Sequence, residues 1–146
     1  MPKRKYRAKQ QPTLFFIIGI ALLLVAVFFF KRESPAASSN SSLEAQLDSA
    51  LAAKRPTFVF LHSLDCIPCK EMMGVVADVY PDFQDSVVLI DVDIYKQGNE
   101  NIMRREGLQS IPTLVFYDST GKRQMFIGAM PPDKFRDTLT QLAAEQ

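Results

Sequence analysis

Tryptophan is absent from this chain, histidine occurs once, and two of the 146 residues are cysteine. A disulfide-dense secreted scaffold is thereby excluded, because such folds need several bridges in place of a large core. A four-ligand zinc site would have to take both cysteines, His62 and a carboxylate such as Asp65, so a metal role is disfavoured. Acid is missing from residues 1–32, which carry seven Lys or Arg, and residues 13–30 carry no charge of either sign. No segment repeats at a fixed period, which argues against a solenoid or array. The length suits one domain of ordinary size and not two.

What is present divides unevenly. Residues 33–146 hold ten basic and sixteen acidic side chains, a net charge of −6. An acidic domain offers no footprint for nucleic acid, whose phosphates need a basic face. The uncharged run Thr13 to Phe30 would span roughly 27 Å as a helix, close to the thickness of bilayer hydrocarbon. Five basic residues precede it and two follow. The positive-inside rule therefore keeps residues 1–12 in the cytoplasm and sends the remainder across. A cleaved signal peptide ending near Ser34-Pro35-Ala36 is the competing reading. Against it, the run exceeds the usual ~7–15 apolar residues of a signal core, and Lys31-Arg32 forms a stop-transfer flank. The expectation is a single-pass membrane protein: anchor over 13–30, flexible linker over 31–42, and a folded domain over 43–146 outside the cytoplasm.

Patterning within that domain predicts the order α-β-α-β-α-β-β-α. Ser41 or Ser42 can cap a helix in which Leu43, Leu47, Ala50 and Leu51 share one face. Thr57–Leu61 and Ser86–Ile90 are apolar without alternation, the pattern of strands buried on both sides. Between them a helix over Cys66–Tyr80 is stopped by Pro81. A helix near Glu100–Glu106 ends at Gly107. Thr113–Tyr117 and Arg123–Ile127 form a hairpin about the turn Asp118–Gly121. Asp133–Ala144 closes the chain as an amphipathic helix with Phe135, Leu139 and Leu142 on one side. The strand–helix–strand unit implies a parallel pair joined by a right-handed crossover. The fold class is α/β, one mixed four-stranded sheet with helices on both faces.

Cys66 and Cys69 are spaced Cys-Ile-Pro-Cys, directly after a buried strand and opening a helix. Residues i and i+3 lie one turn apart on one face, so the sulfurs can form a small disulfide. Cys66 would face unpaired backbone N–H groups and the positive end of the helix dipole, both of which favour thiolate over thiol. Pro68 fits the first turn, where its missing N–H is not needed. These residue types make Cys66 the candidate nucleophile and Cys69 the resolving thiol. A purely structural bridge is the bland alternative, yet so small a loop stabilises little. A copper carrier using the cysteines with Met72 and Met73 is a rival of a different class. His62, at a strand end, reads as packed or hydrogen-bonded rather than as a ligand.

With these residues on the page, the chain from about Thr57 onward resembles thioredoxin. Cys66-Ile67-Pro68-Cys69-Lys70 is similar to the thioredoxin active-site motif, and Gly107–Phe116 to the segment around its cis-proline. The likeness extends to Asp91-Val92-Asp93 and Phe126-Ile127-Gly128-Ala129. It implies a thioredoxin-like fold, a cis peptide before Pro112, and a substrate strand bound through backbone groups of Ile111 beside Pro112 and Gly128. It further implies no cofactor beyond the Cys66–Cys69 disulfide, protein thiols and disulfides as substrates, and, for a tethered reductase, a membrane-embedded thiol donor. Membrane-bound thioredoxin-like proteins of cytochrome c maturation are similar in layout, so apocytochrome thiols are one candidate substrate. Four positions depart from the family pattern. Asp65 stands where tryptophan precedes the first cysteine, Phe60 where a buried aspartate shuttles protons, Leu89 where a lysine accompanies that acid, and Gly74 where a proline kinks the helix. Asp65 would oppose thiolate formation at Cys66, or else face solvent or cap the helix. The proton route at Cys69 then falls to Lys70, Glu71 or water.

Overall fold

The computed structural model describes residues 42–144; the expected cytoplasmic segment, membrane span and all but the last residue of the linker lie outside the described residues. No helix among the described residues is long and apolar enough to cross a membrane. Helix α1 runs Leu43–Ala52, with the Ser42 hydroxyl accepting the Ala45 N–H at 3.2 Å as its cap. Strand β1 (Thr57–His62) leads into α2 (Ile67–Val79) and a short 3-10 turn, Tyr80–Asp82. Then follow β2 (Val88–Asp93), α3 (Glu100–Arg105), β3 (Thr113–Tyr117), β4 (Arg123–Ile127) and α4 (Pro132–Ala144).

The sheet order is β2-β1-β3-β4, with β1 parallel to β2 and the other two pairs antiparallel. Successive side chains of a strand point to opposite faces, so the central strands must be apolar throughout to serve two cores. Phe58, Phe60, Leu114 and Phe116 face α2 and α4, packing with Met72, Val76, Phe135 and Leu139. Val59, Leu61 and Val115 face the other way and meet Leu47 of α1 and Ile102 of α3. The rings of Phe58 and Phe116 stack at 5.0 Å, and Phe135 sets its edge on Phe58 at 5.1 Å.

Several boundaries differ from the sequence expectation by a residue, and β2 and α2 differ in ways with a physical cause. β2 starts at Val88 rather than Ser86 and runs on to Asp93. It alternates in burial instead of being buried on both faces. As an edge strand it has one side open, so Asp91 continues the ladder opposite Phe60 while remaining exposed. α2 stops at Val79, because Pro81 has no N–H to bond back to Ala77 and the chain tightens into the 3-10 turn.

Gly74 sits inside α2 on its exposed side, where an added Cβ would meet nothing within 4 Å. Gly74→Ala is therefore expected to stabilise the fold by ~0.5–1 kcal/mol, through lower backbone entropy in the unfolded chain. Urea denaturation checks this, and a loss of stability would show that α2 requires glycine there.

Candidate active site

The site forms where β1 gives way to α2. After His62 the chain turns through Ser63, whose Oγ accepts the Asp65 N–H at 3.1 Å. Cys66 is then the N-cap of α2, with extended backbone (φ −99°, ψ 119°), and its Sγ accepts the Cys69 N–H at 3.2 Å. A sulfur thus takes the place usually held by a serine or aspartate oxygen at a helix start. Pro68 occupies the first turn, and the Lys70 N–H closes that turn onto the Cys66 carbonyl at 3.1 Å. Cys66 and Cys69 are joined as a disulfide, their Cα atoms 5.1 Å apart. The two sulfurs live in different surroundings: Cys69 is fully buried, whereas Cys66 is partly exposed. Leu64 and Ile67, 56% and 74% exposed, flank the opening with apolar surface.

Asp65 is exposed, and the cap interaction at α2 belongs to Cys66 rather than to the Asp65 carboxylate. The capping role considered for Asp65 is thereby corrected; the solvent-facing alternative agrees with its exposure. Lys70 is exposed on the first turn of α2.

The Ile111–Pro112 peptide is cis. Pro112 is buried and Ile111 partly exposed; the Pro112 carbonyl accepts the Gly128 N–H at 2.8 Å. Gly128 takes φ +104°, a region that favours glycine. Leu61 pairs with Thr113 and Thr113 with Ile127. Continuing that register by one residue sets Pro112 between His62 and Gly128, at the sheet end from which the chain turns to Cys66. Sequence-distant candidates therefore share one edge of the molecule: Cys66, Pro68, Cys69 and Lys70 on α2, Asp65 before it, and Ile111, Pro112 and Gly128 across the sheet.

The structure also shows what fills the positions that depart from the family pattern. Phe60 is 2% exposed and belongs to the aromatic core, and Leu89 packs against that same core. Met72 accepts the Met130 N–H on its sulfur at 3.3 Å, and Met73 packs against the same cluster. Their packing is hydrophobic, as expected of helix methionines. Among the described residues, no group of three or more His, Cys, Asp or Glu is arranged to hold a metal ion. Sequence reasoning did not pair His62 with Asp91. Its Oδ1 lies 2.8 Å from Nε2 of His62, which is 3% exposed and stacked on Phe60 at 4.6 Å. The two residues are 29 positions apart, and only the strand register joins them.

A cysteine pair at a strand–helix junction, facing a cis-proline across the sheet, defines a thiol–disulfide exchange site of the thioredoxin type. The model of the thioredoxin-like domain family matches residues 43–143, and the chain belongs to that family. A thioredoxin of Synechocystis is 28% identical over 106 residues, covering 73% of this chain and 94% of its own. One of Mycoplasmoides gallisepticum is 30% identical over 97 residues, covering 66% and 93%. Among solved structures, Malassezia sympodialis thioredoxin superposes with a TM-score of 0.59 at 24% identity, covering 70% of this chain and 88% of that one. Oxidised thioredoxin O2 of Arabidopsis thaliana gives 0.57 at 24% identity, over 70% and 91%. These structural likenesses speak for the fold; the family match and the Cys66–Cys69 disulfide make the protein a thiol–disulfide oxidoreductase.

Proposed function

We propose that the protein is a membrane-tethered reductase of protein disulfides, working outside the cytoplasm, with Cys66 as nucleophile and Cys69 as resolving thiol. The observation that carries the division of roles is the unequal burial of the two sulfurs, the partly exposed one standing at the helix N-cap. In the reduced protein the Cys69 N–H that Cys66 Sγ already accepts favours the Cys66 thiolate, as does the dipole of α2. That thiolate attacks a substrate disulfide, forms a mixed disulfide and releases one substrate thiolate. Cys69 then displaces the second substrate sulfur from Cys66 and closes the Cys66–Cys69 disulfide.

Substrate is held as an extended strand against the backbone of Ile111, beside Pro112 and Gly128, with Leu64 and Ile67 offering apolar contact. Backbone recognition makes few sequence demands, which suits a broad range of protein substrates. The protein uses no cofactor other than its own disulfide. The uncharged run over 13–30 supports a membrane anchor, and the five basic residues before it against two after it support an outward-facing domain. Electrons would then come from a thiol donor within the membrane.

The direction is tested by the reduction potential of the Cys66–Cys69 pair in the full chain, equilibrated against thiol–disulfide buffers. A reductase is expected near the thioredoxin range, at about −270 mV; a value above about −180 mV would make the protein an oxidase or isomerase instead.

A further inference from the structure

His62 lies at the end of β1, buried, with its Nε2 2.8 Å from Asp91 Oδ1. An ionised carboxylate only accepts, so Nε2 carries the hydrogen and the other ring nitrogen of the neutral imidazole presents a lone pair. That nitrogen, Nδ1, is buried and has no hydrogen-bond partner among the described residues. A buried acceptor without a donor is uncommon enough in a folded core to call for an explanation.

The fold supplies one. Phe60 and His62 are two residues apart on β1 and point to the same face of the sheet. Phe60 packs in the cluster that holds Met72 and Val76 of α2. The chain reverses between β1 and α2, so the helix runs back along the strand. Moving from Met72 to Cys69 shifts about 4.5 Å along the helix; moving from Phe60 to His62 shifts about 6.6 Å along the strand in the same direction. The layer beyond Phe60 and Met72 is therefore the layer of His62 and Cys69, both buried. Nothing acidic occupies Phe60 to take a proton from the resolving thiol.

We propose that His62, oriented by Asp91, is the proton acceptor for Cys69 during resolution; this rests on the assignment of Cys66 as nucleophile and Cys69 as resolving thiol. In the mixed disulfide the Cys69 S–H gives its proton to His62 Nδ1. The resulting thiolate attacks Cys66 Sγ, the Cys66–Cys69 bond forms, and the bond from Cys66 to the substrate sulfur breaks. The electron pair leaves with that sulfur as a thiolate. The imidazolium, held by the Asp91 carboxylate, passes its proton to the departing thiolate or to water through Asp91, whose side chain is 61% exposed. The dithiol loses two electrons and the substrate disulfide gains them.

The test follows the two chemical steps separately in the full chain, by rapid mixing of reduced protein with a peptide disulfide and acid quenching between about pH 5 and pH 9. The ionisable groups around His62 are Asp91 and Asp93 on β2, Asp65 in the turn, and Cys66 and Cys69 on α2. On the β3 side the register sets Pro112 opposite His62, and it does not titrate. His62→Phe is expected to leave Cys66 attack within about twofold and to slow resolution on the order of 100-fold. The pH profile of resolution should differ between His62→Phe and the unmodified protein, because the variant lacks the base that takes the thiol proton. Asp91→Asn, at an exposed position, should retain the fold and slow resolution about tenfold. Resolution at the unmodified rate with an unchanged pH profile in either folded variant overturns the proposal. If the unmodified protein forms no mixed disulfide at Cys66, the nucleophile assignment fails and the His62 role falls with it. A high reduction potential alone would change the direction of catalysis and leave this role standing.

Discussion

Replacing Cys69 by serine is expected to turn the protein into a trap that accumulates mixed disulfides between Cys66 and its substrates. The hydroxyl of serine is too weak an acid to supply the anion that resolution needs, and position 69 is fully buried. Turnover should fall on the order of a thousandfold or more while Cys66 remains reactive. Cys66→Ser should lose turnover to a similar extent but trap nothing, because the attacking sulfur itself is gone. Non-reducing gels with mass spectrometry distinguish the two. Full turnover in Cys69→Ser would falsify the dithiol mechanism. Trapping through Cys69 rather than Cys66 would reverse the roles that unequal burial suggests. Because trapping identifies whichever proteins form the bond, the same variant would report the natural substrates.

Arg123→Met is expected to cost about 3–5 kcal/mol of stability, a large share of the roughly 5–15 kcal/mol that holds an ordinary domain. Glu106 is completely buried after α3 and accepts the Tyr117 hydroxyl at 2.8 and 3.0 Å. Arg123 supplies the balancing charge from β4: its Nε–H donates to the Glu106 carboxylate at 3.2 Å and a terminal N–H to the Glu106 carbonyl at 2.7 Å. Burial, followed by the hydrogen bond to Glu106, pushes the Tyr117 phenol up to about 12, so it stays a donor at any ordinary pH. Removing the cation leaves a buried carboxylate with one neutral partner. Tyr117→Phe removes one neutral donor and should cost only about 1–2 kcal/mol. Urea denaturation of the two variants gives the comparison. A loss below about 1 kcal/mol for Arg123→Met would place this pair with ordinary surface ion pairs.

The boundary between what could be read and what could not follows the range of the interactions. The Ser42 cap, the unalternating apolar run of β1 and the hairpin about Gly121 are local patterns, each decided within a few residues. The cysteine pair was legible for the same reason: strand, turn and helix are contiguous, so the chain alone sets Cys66 at a helix start. Ile111–Pro112 and Gly128 were placed by resemblance rather than by patterning, and the register brings them to the same sheet end.

Glu106 read as the polar end of a short helix, yet it is sealed in by Tyr117 and Arg123 from two strands beyond. β2 read as a fully buried strand over 86–90, yet its place at the sheet edge lets it extend through two carboxylates to Asp93. His62 was expected to be packed or hydrogen-bonded, and it is both, but its partner Asp91 was not foreseen. The sequence by itself determined the class of fold, the placement of Cys66 and Cys69 at a strand–helix junction, and the uneven spread of charge along the chain. The tertiary structure decided which sulfur is buried and which carboxylates are. It also decided that His62 is buried with Asp91 as its partner. These depend on strand order and register between segments tens of residues apart, where the energy of burial acts on neighbours that no local pattern specifies.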